Sequence, residues 1–143
     1  MFSKACEYGI RATLFIAQES KKDRRSSLKE IAREIDSPGA FTAKILQKLV
    51  QKNIINSIKG PHGGFFIQTE NNTIMLSEIV EAIDGDHIMN GCALGLKKCS
   101  EDHPCPLHFD FVDIRGGLKQ MLKTNSIMEL SSKLDSGTSF LKI

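Results

Sequence analysis

Residues 27–67 read SLKEIAREIDSPGAFTAKILQKLVQKNIINSIKGPHGGFFI. Apolar residues recur at helical spacing over 28–35 and again over 41–49, and the two runs are separated by turn-forming residues at 36–39. A short helix, a tight turn and a longer helix form the helix-turn-helix pattern, in which the second helix enters the major groove of DNA. The stretch therefore predicts a helix pair suited to DNA binding.

The ends of these two helices carry recognisable capping residues. Ser27 and Glu30 form a capping box at the start of the first helix. Ser37 is predicted to cap the second helix, with Pro38 at its first position. The solvent side of the second helix is expected to present Ala40, Ala43, Lys44 and Gln47.

A β-hairpin is predicted directly after the second helix. Residues 54–58 are rich in β-branched side chains, 59–64 contain three glycines, and 65–67 return as a second strand. A hairpin in this place is a wing, and its glycines allow the backbone to approach a phosphate or a minor groove beside Lys59. The same glycines do not form a nucleotide-binding loop, because a strand rather than a helix follows them.

Further helices are predicted on both sides of this unit. Residues 3–19 have one apolar face and Ser3 as cap, and the charged run 21–25 (KKDRR) forms a loop. After a polar link at 70–73, Ser77 is predicted to cap a helix that Gly85 ends. A last short helix is expected after Ser126.

A long helix before that last one carries a coiled-coil seam, with apolar residues at steps of 4, 3, 4 and 3. Dimerisation is the natural interpretation, and docking onto the same chain is the alternative. Gly116 and Gly117 lie inside the helix and each costs about 1 kcal/mol relative to alanine. The seam consists of Leu107, Phe111, Ile114, Leu118 and Met121.

Three of the four cysteines, Cys92, Cys99 and Cys105, lie in one short stretch, with His108 one helical turn further on. Three thiolates and an imidazole suit zinc or an iron-sulfur cluster. Zinc sites usually contain close cysteine pairs, which this stretch lacks, so the spacing favours iron and sulfur. A disulfide with a spare thiol, and cysteines without any metal, are the alternatives.

Length and charge limit the class of protein. A chain of 143 residues that is 41% hydrophobic can bury a core without cross-links. Its net charge of +2 divides into +6 over residues 1–68 and −4 over 69–143, which suggests a nucleic-acid-facing half and a second half with another task. No signal peptide or membrane span is apparent, so a cytoplasmic protein with reduced cysteines is expected.

Several motifs together resemble the Rrf-type family of bacterial winged-helix transcriptional regulators, which includes the IscR-like and NsrR-like iron-sulfur regulators. They are EYGIR at 7–11, ILQKL at 45–49, IKGPHGGF at 58–65 and the spaced cysteines. The resemblance implies a mostly α fold with a small β-hairpin, in which a winged helix-turn-helix is followed by a long C-terminal dimerisation helix. Residues 1–70 would be the DNA-binding domain, and 71–143 would contain the cluster-binding loop and the dimerisation helix.

The resemblance also implies partners and a cofactor. A homodimer would bind a palindromic double-stranded DNA operator, and a labile cluster would be held by Cys92, Cys99, Cys105 and His108. A 2Fe–2S cluster is preferred over 4Fe–4S, with zinc as the alternative. Glu7 aligns with a carboxylate that ligates the cluster from the partner subunit in NsrR-like members. The DNA-binding candidates are Ser37, Ala40, Ala43, Lys44, Lys59, Gly60 and His62.

Three positions depart from the family pattern. Ala43 replaces an acidic residue of IscR that shapes the choice of DNA site, His62 replaces a glycine at the wing tip, and six residues rather than five separate Cys92 from Cys99. The expected function is a DNA-binding regulator, a repressor, that senses iron-sulfur status, redox state or nitric oxide. The alternative is a zinc-stabilised or metal-free repressor of the same family. An enzyme is not expected, because Cys105 and His108 lack a third orienting residue and an oxyanion-stabilising loop.

Overall fold

The computed structural model of the chain describes residues 1–70 and 73–142. The predicted polar link at 70–73 therefore lies partly outside the described residues. Within them the chain forms seven α-helices and one two-stranded sheet, and no helix is long and apolar enough to cross a membrane. In chain order the elements are α1 (Lys4–Ser20), α2 (Leu28–Glu34), α3 (Gly39–Gln51), β1 (Asn56–Ile58), β2 (Gly64–Phe66), α4 (Leu76–Asp84), α5 (His87–Asn90), α6 (His108–Thr124) and α7 (Ile127–Asp135).

Three predicted serine caps are present and fix where their helices begin. The hydroxyl of Ser3 accepts a hydrogen bond from the Cys6 amide at the start of α1. Ser27 and Ser126 do the same for the amides three residues further on, at the starts of α2 and α7. Each side chain satisfies a backbone N–H that has no partner inside its helix.

Two other predicted caps are wrong. Ser37 does not cap α3, which begins one residue later, after Pro38. Its hydroxyl is instead hydrogen-bonded to that of Thr42, which lies within α3. Ser77 lies buried in the first turn of α4 rather than before it.

The earlier start of α4 has a tertiary cause. Met75 forms an antiparallel bridge with Ser126, and the Leu76 amide donates to the Asn125 carbonyl at 2.9 Å. The Glu78 carboxylate accepts the Met75 amide at 2.7 Å, so an acidic side chain satisfies the backbone where a serine was expected to do so.

The wing is a hairpin of β1 and β2 in which Ser57 is paired with Phe65. Two glycines adopt positive φ where the chain reverses, with values of 109° at Gly60 and 143° at Gly64. Other residues rarely adopt this backbone region, so the glycines suit the tight return of the chain. Together, the seven helices and this hairpin confirm the predicted mostly α, winged-helix architecture.

The hydrophobic core is one continuous cluster built around α1, which packs against α3, α4 and α7. Ile16 of α1 and Leu46 of α3 are fully buried in it, and so are Leu122 of α6 and Ile127 of α7. Side chains from both sides of residue 70 therefore share one core. The division into 1–70 and 71–143 remains a prediction about function.

Candidate functional site

The three clustered cysteines converge at the beginning of α6. Cys92 follows α5, Cys99 lies in the loop after it, and Cys105 precedes α6 by three residues. Their sulfur atoms all lie within 4.8 Å of one another, and the Sγ atoms of Cys92 and Cys105 are 3.6 Å apart. The cysteines are free thiols, so the disulfide alternative is not realised in this structure. Three soft ligands at such distances are suited to one metal centre.

His108, the first residue of α6, lies beside one of these cysteines. Its Nδ1 atom lies 3.1 Å from the Sγ atom of Cys99. Its Nε2 atom is buried and makes no hydrogen bond to the described residues. Because a buried polar atom without a partner is unfavourable, an imidazole in this state next to the Cys99 thiol fits a metal ligand better than a packing residue.

The protein environment shifts the pKa values of two of these thiols in opposite directions. The backbone amides of Leu96 and Leu94 lower the pKa of Cys92 to about 7, because they stabilise a thiolate. Burial raises the pKa of Cys105 above its ordinary value. Cys92 is therefore the thiol of this pair that more readily offers a thiolate to a metal.

Contacts that the sequence did not reveal hold the start of this loop against α6. Arg115 Nη1 donates to the Gly91 carbonyl at 2.6 Å, and Lys119 Nζ donates to Asn90 Oδ1 at 3.1 Å. A Cβ at Gly91 would lie 2.5 Å from the His87 carbonyl oxygen, so glycine is required next to Cys92. One signal was available in the sequence, since Arg115 lies seven residues after His108 and so on the same side of α6.

Glu7, the predicted ligand from a partner subunit, lies on α1 and is half-buried. Its carboxylate forms a 3.0 Å ion pair with Lys4. The sulfur group of this chain does not include it. Ligation by Glu7 across a dimer remains a prediction.

The predicted DNA-binding residues lie on α3, on the turn before it and on the wing. Ala40 and Lys44 are exposed, whereas Ser37 and Ala43 are partly buried. At the wing Lys59, Gly60 and His62 are all exposed. The opposite side of α3 is anchored by Ile45, Leu46 and Leu49, which are buried in the core. The helix therefore presents its polar face outward, as the sequence predicted.

The five residues of the predicted seam are not equivalent in the structure. Leu107, Ile114 and Met121 are 45%, 65% and 42% exposed. Phe111 and Leu118 are partly buried, and Leu118 packs against the core. These three residues, spaced by seven, thus leave an apolar ridge along α6 and its N-cap residue Leu107 that the described part of this chain does not cover.

Comparison with known proteins identifies the family. The sequence profile of Rrf2, described as an iron-dependent transcriptional regulator, matches residues 2–133. The chain belongs to the Rrf2 family. It is accordingly a transcriptional regulator and not an enzyme, as the sequence predicted.

Two relatives illustrate the range of Rrf2 sequences similar to this one. A putative HTH-type transcriptional regulator of Aquifex aeolicus is 30% identical over 132 residues, which cover 91% of this chain and 90% of that protein. The HTH-type transcriptional regulator IscR of Vibrio atlanticus is 22% identical over 137 residues, covering 90% of this chain and 78% of IscR.

Solved structures share the Rrf2 fold. The global cysteine regulator CymR of B. subtilis superimposes with a TM-score of 0.73 at 20% identity, covering 92% of this chain and 96% of CymR. IscR of T. potens gives a TM-score of 0.74 at 15% identity, covering 98% of this chain and 92% of that one. At these identities the likeness concerns the fold alone.

Proposed function

We propose that this Rrf2 regulator is a repressor that binds a palindromic DNA operator as a homodimer and senses iron-sulfur status, redox state or nitric oxide through a labile 2Fe–2S cluster. The observation that carries the proposal is the convergence of Cys92, Cys99 and Cys105 at the start of α6, with His108 in contact with Cys99. That helix also bears the uncovered apolar ridge. A metal site and a dimer surface would then share one rigid element.

The donor set is compatible with a two-iron cluster. Three cysteine sulfurs lie within 4.8 Å of one another, and the His108 ring lies 3.1 Å from the sulfur of Cys99. A 2Fe–2S cluster takes two protein ligands on each of its irons, and histidine can replace cysteine among them. Such a cluster would supply a one-electron redox couple and an oxidant-sensitive connection between the loop and α6.

The residues of the chain would each contribute in a defined way. The Leu94 amide lies 3.4 Å from Cys92 Sγ, and the Cys105 amide lies 3.4 Å from Cys99 Sγ, so both sulfurs accept a backbone N–H group that orients them. Cys105 and His108 are fixed by the first turn of α6, since the His108 amide donates to the Cys105 carbonyl. Arg115 holds the other end of the loop to the same helix.

A homodimer is supported by the ridge of Leu107, Ile114 and Met121. Exposed apolar side chains in a regular row are typical of an interaction surface. Gly117 lies between Ile114 and Met121 on this side of α6, and a Cβ there would meet nothing within 4 Å in this chain. The absence of a side chain at Gly117 would let two α6 helices approach closely.

Binding of a palindrome follows from two-fold symmetry. Two copies of α3 related by a dimer axis would contact half-sites about 34 Å apart, one turn of DNA. Ala40, Ala43 and Lys44 would face base edges, with Ser37 at the start of the helix. Lys59, Gly60 and His62 would follow the adjacent minor groove or phosphates.

The test is anaerobic purification of the full chain, followed by absorbance spectroscopy and separate counts of iron, sulfide and zinc. We expect visible absorbance with two irons and two sulfides per chain, as a 2Fe–2S cluster requires. Cys99→Ala should abolish both the visible absorbance and the bound iron and sulfide. The control is Cys6→Ala, which removes a thiol buried in α1 and should leave them unchanged.

Other metal contents would overturn the sensing proposal in distinct ways. Stoichiometric zinc without sulfide would indicate a zinc-stabilised repressor of the same family. Protein that lacks both iron and zinc after anaerobic handling, yet binds its promoter, would indicate a metal-free repressor. Four irons per chain would keep the sensing role and contradict the two-iron assignment.

A further inference from the structure

The wing is joined to the chain segment that precedes α2. Ser26 forms an antiparallel bridge with Phe65 of β2, in which the Ser26 amide donates to Phe65 at 3.0 Å and the Phe65 amide donates to Ser26 at 2.8 Å. Phe65 therefore has Ser57 of β1 on one side and Ser26 on the other. The hairpin is fixed at its base by this third segment.

This close approach depends on Gly64. A Cβ at Gly64 would lie 2.8 Å from the Ser26 carbonyl oxygen and 3.2 Å from Arg25 Cβ. The backbone of Gly64 also has positive φ, which disfavours any side chain there. The glycine thus allows the wing to lie against Arg25, the last residue of the KKDRR run, and against Ser26, which follows it.

Arg25 adds side-chain contacts to the tip of the wing and to its second strand. Its Nη1 atom donates to the His62 carbonyl at 3.0 Å, and its guanidinium lies over the Phe66 ring at 5.6 Å from the ring centroid. One planar side chain therefore contacts the loop and the second strand at once. A guanidinium combines directed N–H groups with a flat face that stacks on an aromatic ring, and an ammonium group does not.

Its basic neighbours behave differently. Arg24 lies 3.7 Å from the Glu19 carboxylate and Lys22 lies 3.4 Å from it, so both side chains turn towards α1. Arg24 and Arg25 carry the same charge and adjacent numbers, yet the structure gives Arg25 the contacts with the wing. This difference makes Arg24 a matched control.

We propose that Arg25 is a positioning residue for DNA binding, which sets the direction of the wing tip so that Lys59 and His62 meet the DNA. The inference rests on the proposed function of the wing. Arg25 acts here through the wing, by holding the carbonyl of His62 and the ring of Phe66. Its own charge has a secondary role.

The experiment compares Arg25→Ala, Arg25→Lys and Arg24→Ala in the full chain. Affinity for a native promoter fragment is measured over a series of salt concentrations, and amide hydrogen exchange is followed across 58–66. We expect Arg25→Ala to weaken binding about tenfold, since one hydrogen bond and one ring contact are lost. Arg25→Lys should also weaken binding, with an unchanged salt slope and faster exchange in the wing. Arg24→Ala should leave wing exchange unchanged.

A double mutant separates positioning from general damage to the fold. If Arg25 acts through the wing contact, Arg25→Ala should cost much less affinity in a Lys59→Ala background than in the wild type. Additive losses would overturn the proposal. So would an Arg25→Lys variant with wild-type affinity and exchange, because charge alone would then suffice. A wild-type chain with no affinity for any promoter fragment would instead refute the proposed DNA binding itself.

Discussion

The four cysteines occupy two different environments. Cys92, Cys99 and Cys105 lie together at the start of α6, where backbone amides reach two of the sulfurs. Cys6 is fully buried in α1, and burial together with the nearby Asp84 carboxylate raises the pKa of its thiol to about 12. Burial and local N–H groups therefore distinguish Cys6, a packing residue, from the three clustered cysteines, which are candidate metal ligands.

The buried thiol gives a prediction for alkaline pH. An unfolded cysteine ionises near pH 9.0, whereas native Cys6 stays protonated to about pH 12, so ionisation favours the unfolded chain in this interval. Each pH unit should cost the native state up to about 1.4 kcal/mol from this group. Urea unfolding should show that the free energy of unfolding falls less between pH 8 and pH 10 for Cys6→Ala than for the wild type. Equal losses would contradict the assigned pKa.

Lys59 gives a second prediction at this scale. Its exposed ammonium lies at the start of the wing turn, where a phosphate or the minor groove would be contacted. Lys59→Ala should weaken DNA binding and reduce the slope of log affinity against log salt by about 1. Lys52→Ala, a similar loss of exposed charge at the end of α3, is the control. An unchanged slope for Lys59→Ala would argue against the contact.

Among the elements, α6 has two sides with different environments. His108 and Leu122 are buried on the side that faces α4 and α5, and Arg115 reaches Gly91 from the same side. Ile114 and Met121 are exposed, about 100° around the helix from Arg115 and Leu122. A helix with one row facing its own chain and one exposed apolar row can connect a site inside one chain to a surface shared between two.

The exposed side of α6 predicts the oligomeric state. Ile114→Glu should convert a dimer into a monomer, because a charge would be buried at the centre of the ridge. Gln120→Glu adds the same charge to an exposed position away from the ridge and should leave the dimer intact. Sedimentation velocity measures both. A wild type that sediments as a monomer at all concentrations would refute the dimer.

The contact between α1 and α7 gives a prediction for acidic pH. Hydrogen bonds from Gln18 and Lys21 hold the pKa of Asp135 below its ordinary value. The ionised Asp135 carboxylate therefore stabilises the native state at pH values above the ordinary pKa of an aspartate. This contribution is lost as pH falls through the lowered pKa of the native state. Asp135→Asn should cost under about 1 kcal/mol at pH 7, because the pair is partly exposed, and a smaller amount near pH 3.

Thermal unfolding at the two pH values tests this, with Asp102→Asn as the control for an exposed carboxylate. A penalty for Asp135→Asn that persists unchanged at pH 3 would show that the carboxylate charge is not its source.

Across the whole molecule, α1 connects the DNA-binding unit to the C-terminal helices. It packs against α3, which presents the predicted recognition face, and against α4, which in turn contacts α6. A change in the loop that alters how α6 sits would reach α3 through packed helices rather than through a flexible linker. Coupling between two sites in one protein typically amounts to 1–3 kcal/mol.

This connection predicts that the metal site and DNA affinity are coupled. Loss of the proposed cluster, by oxidation or by Cys99→Ala, should change affinity for a native promoter roughly 5- to 150-fold. Anaerobic fluorescence anisotropy with labelled promoter DNA measures the difference, and Cys6→Ala serves as the control. Identical affinity with and without the metal would refute sensing and leave DNA binding itself in place.

The sequence predicted features that depend on local chemistry. Ser3, Ser27 and Ser126 cap their helices because a serine hydroxyl satisfies an amide only three residues away. The wing glycines were recognisable because positive φ is a property of the residue itself. The cysteine group was recognisable because few residue types bind soft metals.

The tertiary structure decided what depends on distant partners. Ser77 is not a cap because residues 125 and 126 fix the backbone before α4. Periodicity placed five seam residues on one stripe of α6. Only the packing of the fold shows that Ile114 is exposed whereas Leu118 packs against the core. The contacts of Arg25 with the wing and of Arg115 with the cysteine loop join residues 37 and 24 positions apart. Local propensity carries no information about such pairs, because the fold alone brings them together.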